Sequence, residues 1–524
     1  MKELGGWLVL LAFLVLLCFV FRPETFLFPT VAVEKHPGGE IESPGPSPAG
    51  ASPETKDVTN PAPPASTDVL NALLDKGSGK EVPGEKLVRF PSKEAYQKFL
   101  ATAPPGAVLG QIDVLNSVRV IAAPSLANVL AQFGGSVSGN FYVQIPEEPL
   151  EVREKGDSIY RAVGKRAVDL IGADGVVESW GQGVKVALID TPVEEADKGP
   201  GEAVGHGTAM RSLIQGQTGP VRGAAPGAEV VAFAVLDHEG KGSSFSLAEA
   251  IVKAVDQGVR VINMSLGSDS DSPVVRDAVD YALRKNVVLV AAAGNEAVNQ
   301  VSYPAAYEGV IGVASVDAAG SHLYFSNRGK AVDVAAPGFA VVASWPGQKF
   351  VEISGTSGST ALVSGVVAAL MSQEPDLSGS KAAELIADYA DDTGLPGRDD
   401  ETGRGVVNLQ RALERKRRGI VDVAVAGVTM KPDGRLGKIT AAIQNRGTET
   451  VNSVVLEITV GEERRKFFLG SLAPGKTVAE SLGFDLIRAR QGGGVGAGAA
   501  VQIRGDQRTD NDLWTGYFRI SKDK

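Results

Sequence analysis

The chain has 524 residues, 43% of them hydrophobic, which is enough for about three domains and at least one large core. Its 52 basic residues are outnumbered by 62 acidic ones, so no summed positive field draws in phosphates, and a nucleic-acid binder is excluded. The single cysteine, Cys18, excludes an internal disulfide framework and a cysteine-based zinc site, and four histidines argue against a histidine-rich metal site.

Leu4 to Phe21 is uncharged and rich in Leu, Val and Phe. At about 1.5 Å per residue a helix there would reach ~27 Å, the depth of a bilayer core. Residues 1–28 are therefore expected to anchor the chain in a membrane, with the rest on the extracytoplasmic side. A cleavable signal segment, giving a secreted protein, is the competing reading; no Ala-x-Ala site follows the run closely, Thr30-Val31-Ala32 being the nearest candidate. Residues 29–84 are expected to form a linker. Its Pro-rich part, to residue 68, has few apolar side chains to offset ordering entropy, so it reads as an extended tether or a disordered leader.

From Leu87 short elements alternate. Leu87–Phe90 suits a strand, and Ser92 can cap a helix with Ala95, Tyr96, Phe99 and Leu100 on one face. Val108–Asp113 and Ser117–Ala122 read as a hairpin. Pro124 opens a second helix carrying Leu126, Val129, Leu130 and Phe133, Gly134 closes it, and Phe141–Ile145 is a final strand. The order βαββαβ predicts a small ferredoxin-like α+β domain over residues 85–147.

Four later segments carry chemistry. Val184–Thr191 is an apolar run ending in a carboxylate, as in a buried parallel strand with Asp190 at its C-terminal edge. In Gly205-His206-Gly207 the imidazole opens a short helix, and its glycine neighbours admit close backbone. Val290–Glu296 is a strand end carrying the amide of Asn295. Ser354–Gly358 leads into an apolar helix and sets the hydroxyl of Ser357 at a helix N-terminus, where free N–H groups favour developing negative charge. Acyl transfer needs this set: a nucleophile, a base, a group that fixes the base, and donors for an oxyanion.

These segments, with Val261–Gly267, Tyr303-Pro304-Ala305 and Ala335–Gly338, resemble the subtilisin-like serine proteases, peptidase family S8, over about residues 165 to 413. The resemblance implies an α/β domain over 148–415, a parallel sheet with helices on both faces. It implies that Ser357 attacks the peptide carbonyl, His206 takes its proton, Asp190 orients the imidazole, and the Asn295 amide and Ser357 N–H hold the oxyanion. Ser265-Leu266-Gly267 and Ala292-Ala293-Gly294 would wall the substrate pocket, their backbone able to pair with an extended peptide as an added strand. Ser302 stands where relatives have glycine at the floor of the pocket for the residue before the scissile bond (P1), so medium apolar residues are expected there. The domain 85–147 becomes the chain's own inhibitory propeptide, its tail from Phe141 threading the cleft and the cut falling between Pro146 and Tyr160. No cofactor is expected. The loop Gly216–Pro220, in the region where relatives bind calcium, lacks carboxylates, so calcium is not expected there.

Other chemistry-bearing residues have plainer readings. His36, His238 and His322 are expected to be solvated, and Glu194, Glu195 and Asp197 to be surface charge rather than metal ligands. Arg415–Arg418 reads as a solvated helix end or a basic inter-domain cleavage site. A catalytically silent scaffold using the same folds for binding is the alternative to an enzyme.

Beyond Gly419 the pattern is all-β. Val421–Val428, Ile439–Ile443, Val454–Val460 and Phe467–Leu469 are separated by Pro432-Asp433-Gly434, Asn445-Arg446-Gly447 and Ala473-Pro474-Gly475. About seven short strands suit an immunoglobulin-like sandwich over 419–524, and its turns resemble CARDB-type, adhesion-related bacterial modules. Binding a surface polymer or partner and stabilising or spacing the protease both remain open as its role.

Overall fold

The computed structural model describes residues 66–75, 80–147, 160–175, 178–194, 205–216 and 221–520. The anchor 1–28, the tether before residue 66 with His36, residues 148–159 after the small domain, Glu195, Asp197 and residues 217–220 lie outside the described residues. Among the described residues no helix is long and apolar enough to cross a membrane.

The first described element is the helix Ser66–Leu74, inside the stretch expected to be an extended linker to residue 84. That expectation is corrected by two residues one helical turn apart, Val69 and Leu73, which are 3% and 1% exposed in the small domain's core. Strand β1 (Glu81–Arg89) also starts earlier than Leu87. β2 (Val108–Ile112), β3 (Ser117–Ile121) and β4 (Ser136–Gln144) complete an antiparallel sheet in the order β2-β3-β1-β4. The helices Lys93–Thr102 and Ala127–Gln132 lie between strands in sequence, and Phe99 and Leu130 are fully buried. Ser92 accepts the Ala95 N–H at 3.2 Å, satisfying a donor the helix start would otherwise orphan.

The larger domain is built on β5 (Lys185–Asp190) and β6 (Glu229–Ala234), the short β7 (Lys241–Ser243), then β8 (Val261–Met264), β9 (Val288–Ala292), β10 (Val310–Val316) and β11 (Val334–Pro337). Six of these form one parallel sheet, β11-β10-β9-β8-β5-β6. Helices cover both faces: Gly205–Gln215 and Thr356–Gln373 on one, Ser244–Asp256 and Pro273–Arg284 on the other. That double cover explains why β8 to β11 are buried throughout and mostly apolar on both sides. The helix Thr356–Gln373 is buried as far as Met371, because the hairpin β12 (Val341–Trp345) and β13 (Lys349–Ile353) precedes it and the sheet lies beneath it.

The small domain is fastened to this body by backbone, by a buried amide and by the ion pairs Arg89–Asp277 and Lys80–Asp269. β4 pairs antiparallel with β7. The side-chain carbonyl of Asn140, fully buried, accepts from Ser244 Oγ and Phe245 N, both at 3.1 Å, and so caps the helix Ser244–Asp256 from another domain. Its Nδ2 donates to Glu85 Oε2 at 2.8 Å.

The C-terminal residues form β14 (Val423–Asp433), β15 (Leu436–Asn445), β16 (Val451–Val460), β17 (Glu463–Leu472), β18 (Thr477–Asp485), β19 (Gly494–Gln502) and β20 (Leu513–Arg519). They make two antiparallel sheets, β14-β15-β18 and β17-β16-β19-β20, with Ile439, Ile443, Leu456 and Ile458 in the core they share.

Two side chains expected in solvent are not there. Arg415 is 7% exposed and bonded to Glu374 and to the Ala412 carbonyl, so it belongs to packed structure rather than to a solvated helix end. His322 pairs with Val316 across a β-bridge and its Nε2 is buried. Burial, helped by the Arg328 charge, pushes its pKa down to about 3. A histidine held neutral when folded gains a proton on unfolding below about pH 6.5, so stability falls as pH drops from about 6.5 toward 3. In a Ser357→Ala background the urea midpoint should be lower at pH 5 than at pH 7, and His322→Gln should shrink that difference. An unchanged difference would contradict the assignment.

Candidate active site

Asp190 ends β5 and is fully buried. Its Oδ1 accepts the Thr191 N–H at 2.7 Å and lies 2.7 Å from His206 Nδ1. A carboxylate accepts here, so Nδ1 carries the proton of this bond and Nε2 is left turned away from Asp190. Thr191 ties the loop to the helix Gly205–Gln215, its Oγ1 accepting the Gly207 N–H at 2.9 Å. A Cβ on Gly207 would stand 2.4 Å from the Thr191 carbonyl oxygen, so this approach requires glycine. Met210, Leu213 and Ile214 anchor the helix in the core.

Ser357 is the second residue of its helix and is 6% exposed. Its Oγ donates to the Ser265 carbonyl at 3.3 Å, and its own carbonyl accepts from Ser265 Oγ at 3.0 Å. Ser265 Oγ in turn accepts from Asn263 Nδ2, whose amide oxygen accepts from Ser364 Oγ. This buried chain fixes the start of the helix against β8. His206 Nε2 has no hydrogen-bond partner among the described residues. It nevertheless shares with Ser357 a cleft of about 510 Å³ that Ile145, Pro146 and Glu147 also line.

Asn295 follows β9. Its Oδ1 accepts both the Thr356 N–H, at 3.0 Å, and Thr356 Oγ1, at 2.9 Å. Those two bonds settle which way the amide faces, and Nδ2 donates to the Pro146 carbonyl at 3.1 Å. Thr356 is thus a positioning residue that the sequence reading missed. Its only sequence signal was adjacency to Ser357.

The tail of the small domain lies as a strand between two edges. On one side Gln144 and Gly267 exchange both backbone bonds, at 2.9 and 2.8 Å. On the other, Val143 pairs with Gly242, Gln144 with Lys241, and the Ile145 N–H donates to the Gly240 carbonyl at 3.1 Å. Ser265-Leu266-Gly267 is therefore one wall, with Leu266 turned into the core. Gly240–Ser243 supplies the second pairing edge, while Ala292-Ala293-Gly294, expected as the other pocket wall, adjoins Ser302, whose N–H donates to the Ala293 carbonyl beside Asn327 Nδ2. Ser302 is buried, 3.0 Å from where a Cβ on Gly267 would stand and 2.6 Å (Oγ) from one on Gly294. Gly267, Ser302, Asn327 and Pro146 line one pocket. His238 is exposed in the turn before β7. Among the described residues no three His, Cys, Asp or Glu side chains gather as metal ligands.

A carboxylate–imidazole pair, a hydroxyl at a helix N-terminus and an amide aimed at a peptide carbonyl, at the edge of a parallel sheet, define a serine hydrolase of α/β architecture. The subtilase family, peptidase S8, matches residues 181–405. Thermitase of Thermoactinomyces vulgaris is 35% identical over 255 residues, covering 45% of this chain and 90% of that protein. Subtilisin DY of Bacillus licheniformis is 33% identical over 270 residues, 47% of this chain and 97% of that protein. An alkaline protease of Alkalihalobacillus alcalophilus is 34% identical over 376 residues, 66% of this chain and 97% of that protein. The chain belongs to the subtilase family and is a subtilisin-like serine endopeptidase.

Proposed function

We propose that Ser357 is the nucleophile, His206 the general base and then acid, Asp190 the group that holds the imidazole in the Nδ1–H tautomer, and Asn295 with the Ser357 N–H the oxyanion donors. The observation that carries this reading is the 3.1 Å bond from Asn295 Nδ2 to the Pro146 carbonyl, a donor already aimed at a peptide carbonyl beside Ser357. Its orientation costs nothing at the moment of reaction, because Thr356 has fixed it beforehand.

The same bond supports Pro146 as the P1 residue and Pro146–Glu147 as the maturation bond, with the preceding domain as a tethered inhibitor. Its strand order and two helices fit a ferredoxin-like unit, and its tail already occupies the strand position of a substrate. The match to the alkaline protease, over 66% of this chain, is longer than the 181–405 family match, as a shared pro-region would make it. A ring as compact as proline beside Ser302 agrees with a preference for medium apolar P1 residues. The apolar run Leu4–Phe21 supports work outside the cytoplasm, held at a membrane or secreted. The two C-terminal sheets fit an immunoglobulin-like, CARDB-type module, and no metal or other cofactor enters the scheme.

Mass spectrometry of the purified full chain should find one self-made cut, after Pro146. A fluorophosphonate probe should then label the matured protein, with the adduct on Ser357. A first cut elsewhere would remove the assignment of the bond. A matured protein that takes no label would return the chain to the silent scaffold.

A further inference from the structure

In an antiparallel ladder, residue pairs that exchange both backbone bonds recur every second residue. Gln144 and Gly267 are such a pair. Continued by one such step, this register would set Pro146 opposite Ser265, two residues on along one strand and two back along the other. That rung requires an N–H at position 146 donated to the Ser265 carbonyl, and proline has none. The Ser265 carbonyl accepts from Ser357 Oγ instead, at 3.3 Å, while His206 Nε2 has no partner among the described residues. The oxyanion donor is engaged on the Pro146 carbonyl, at 3.1 Å, and His206 is oriented by Asp190. Only the nucleophile is turned aside.

We infer that Pro146 is a brake on the chain's own maturation: lacking an N–H, it leaves the Ser265 carbonyl free to capture the Ser357 hydroxyl, so the inhibitory domain is cut slowly and the latent form outlives folding. This rests on the proposed roles of Ser357 and His206 and on Pro146–Glu147 as the scissile bond. In the step being slowed, Ser357 Oγ bonds to the Pro146 carbonyl carbon and its proton passes to His206 Nε2. The bond from that carbon to the Glu147 nitrogen breaks, and His206 returns the proton to the leaving amine. Water then splits the ester, yielding the Pro146 carboxylic acid, which ionises, and restoring the Ser357 hydroxyl. Before any of this begins, Ser357 must leave Ser265 for His206. A residue with an N–H at position 146 would compete with the Ser357 hydroxyl for the Ser265 carbonyl and weaken its hold.

Full-length Pro146→Ala should therefore cut itself after residue 146 several-fold to about tenfold faster than the wild-type chain, the size of one gained hydrogen bond at the reacting residue. Equal rates would overturn the brake. Ring shape is separated from the missing N–H with peptides given to the matured protease, carrying Val-Gln-Ile-X before Glu, where X is alanine, N-methylalanine or proline. Slow turnover of both the N-methylalanine and the proline peptide beside fast turnover of the alanine one supports the mechanism, whereas an N-methylalanine peptide as fast as the alanine one overturns it. If the underlying reading fails, the sign is different and separate: cleavage persists in Ser357→Ala, or the first cut lies away from residue 146 in every variant.

Discussion

Replacing His206 by alanine should slow self-cleavage of the full chain by about 10⁶-fold, the scale measured for the equivalent loss in subtilisin and borrowed from that enzyme. A serine hydroxyl is a poor nucleophile while it keeps its proton, and His206, the base in the proposed scheme, shares the cleft of Ser357. Without the imidazole, the Asn295 amide still holds the Pro146 carbonyl, so position is retained and proton removal is lost. Asp190→Asn should cost less, about 10⁴-fold. An amide N–H facing Nδ1 moves the imidazole proton to Nε2, where it cannot accept one. The two changes together should cost no more than His206→Ala alone, because they disable one unit. Accumulation of the cut chain, followed by mass spectrometry over days, measures all three. His206→Ala chains that still cut at a tenth of the wild-type rate, with an unchanged circular dichroism spectrum, would refute the assignment.

The parts of this site legible in the sequence are those whose chemistry and local context coincide. Asp190 closes an apolar strand, His206 sits between glycines that only close packing requires, and Ser357 opens a helix apolar on every side. Each sits at the end of an element, where a side chain has few places to go. Illegible parts depend on contacts between distant segments. Thr356 looks like a neighbour of the nucleophile until Asn295, 61 residues away, is seen to need both its donors. Gly240–Ser243 becomes an edge of the cleft only when β4 arrives beside it. The same holds for His322, which reads as solvated before a strand while the folded chain removes water from its ring. The helix Ser66–Leu74 was hidden differently: a Pro-rich run adjoins it, and the spacing of Val69 and Leu73 acquires meaning only against the small domain's core.

Asp391→Ala should destabilise the chain by about 3 kcal/mol, at the lower end of the cost of breaking a buried pair because this carboxylate keeps 19% of its surface. Its Oδ1 meets Arg411 Nη1 at 2.9 Å, and Oδ2 accepts from Asn408 Nδ2 at 2.9 Å and lies 3.4 Å from Arg446 Nη1. Burial alone would raise the carboxyl's pKa, but the Arg446 and Arg411 guanidiniums outweigh it and hold the group below the ordinary range. Arg411 belongs to the last helix before the C-terminal sheets and is 2% exposed, so losing Asp391 strands a guanidinium among backbone carbonyls. Arg446 belongs to the turn after β15, and Gln444 Oε1 accepts the Asp392 N–H at 3.0 Å in the same seam. These contacts couple the C-terminal sheets to the protease by buried charge, unlike a module hung on a free linker. In a Ser357→Ala background, urea should unfold both regions in one transition, and Asp391→Ala should split it, the C-terminal sheets separating from the parallel-sheet domain. Two transitions already present without the substitution, or a midpoint unmoved by it, would mean that the seam carries little of the stability and that the C-terminal sheets fold for themselves.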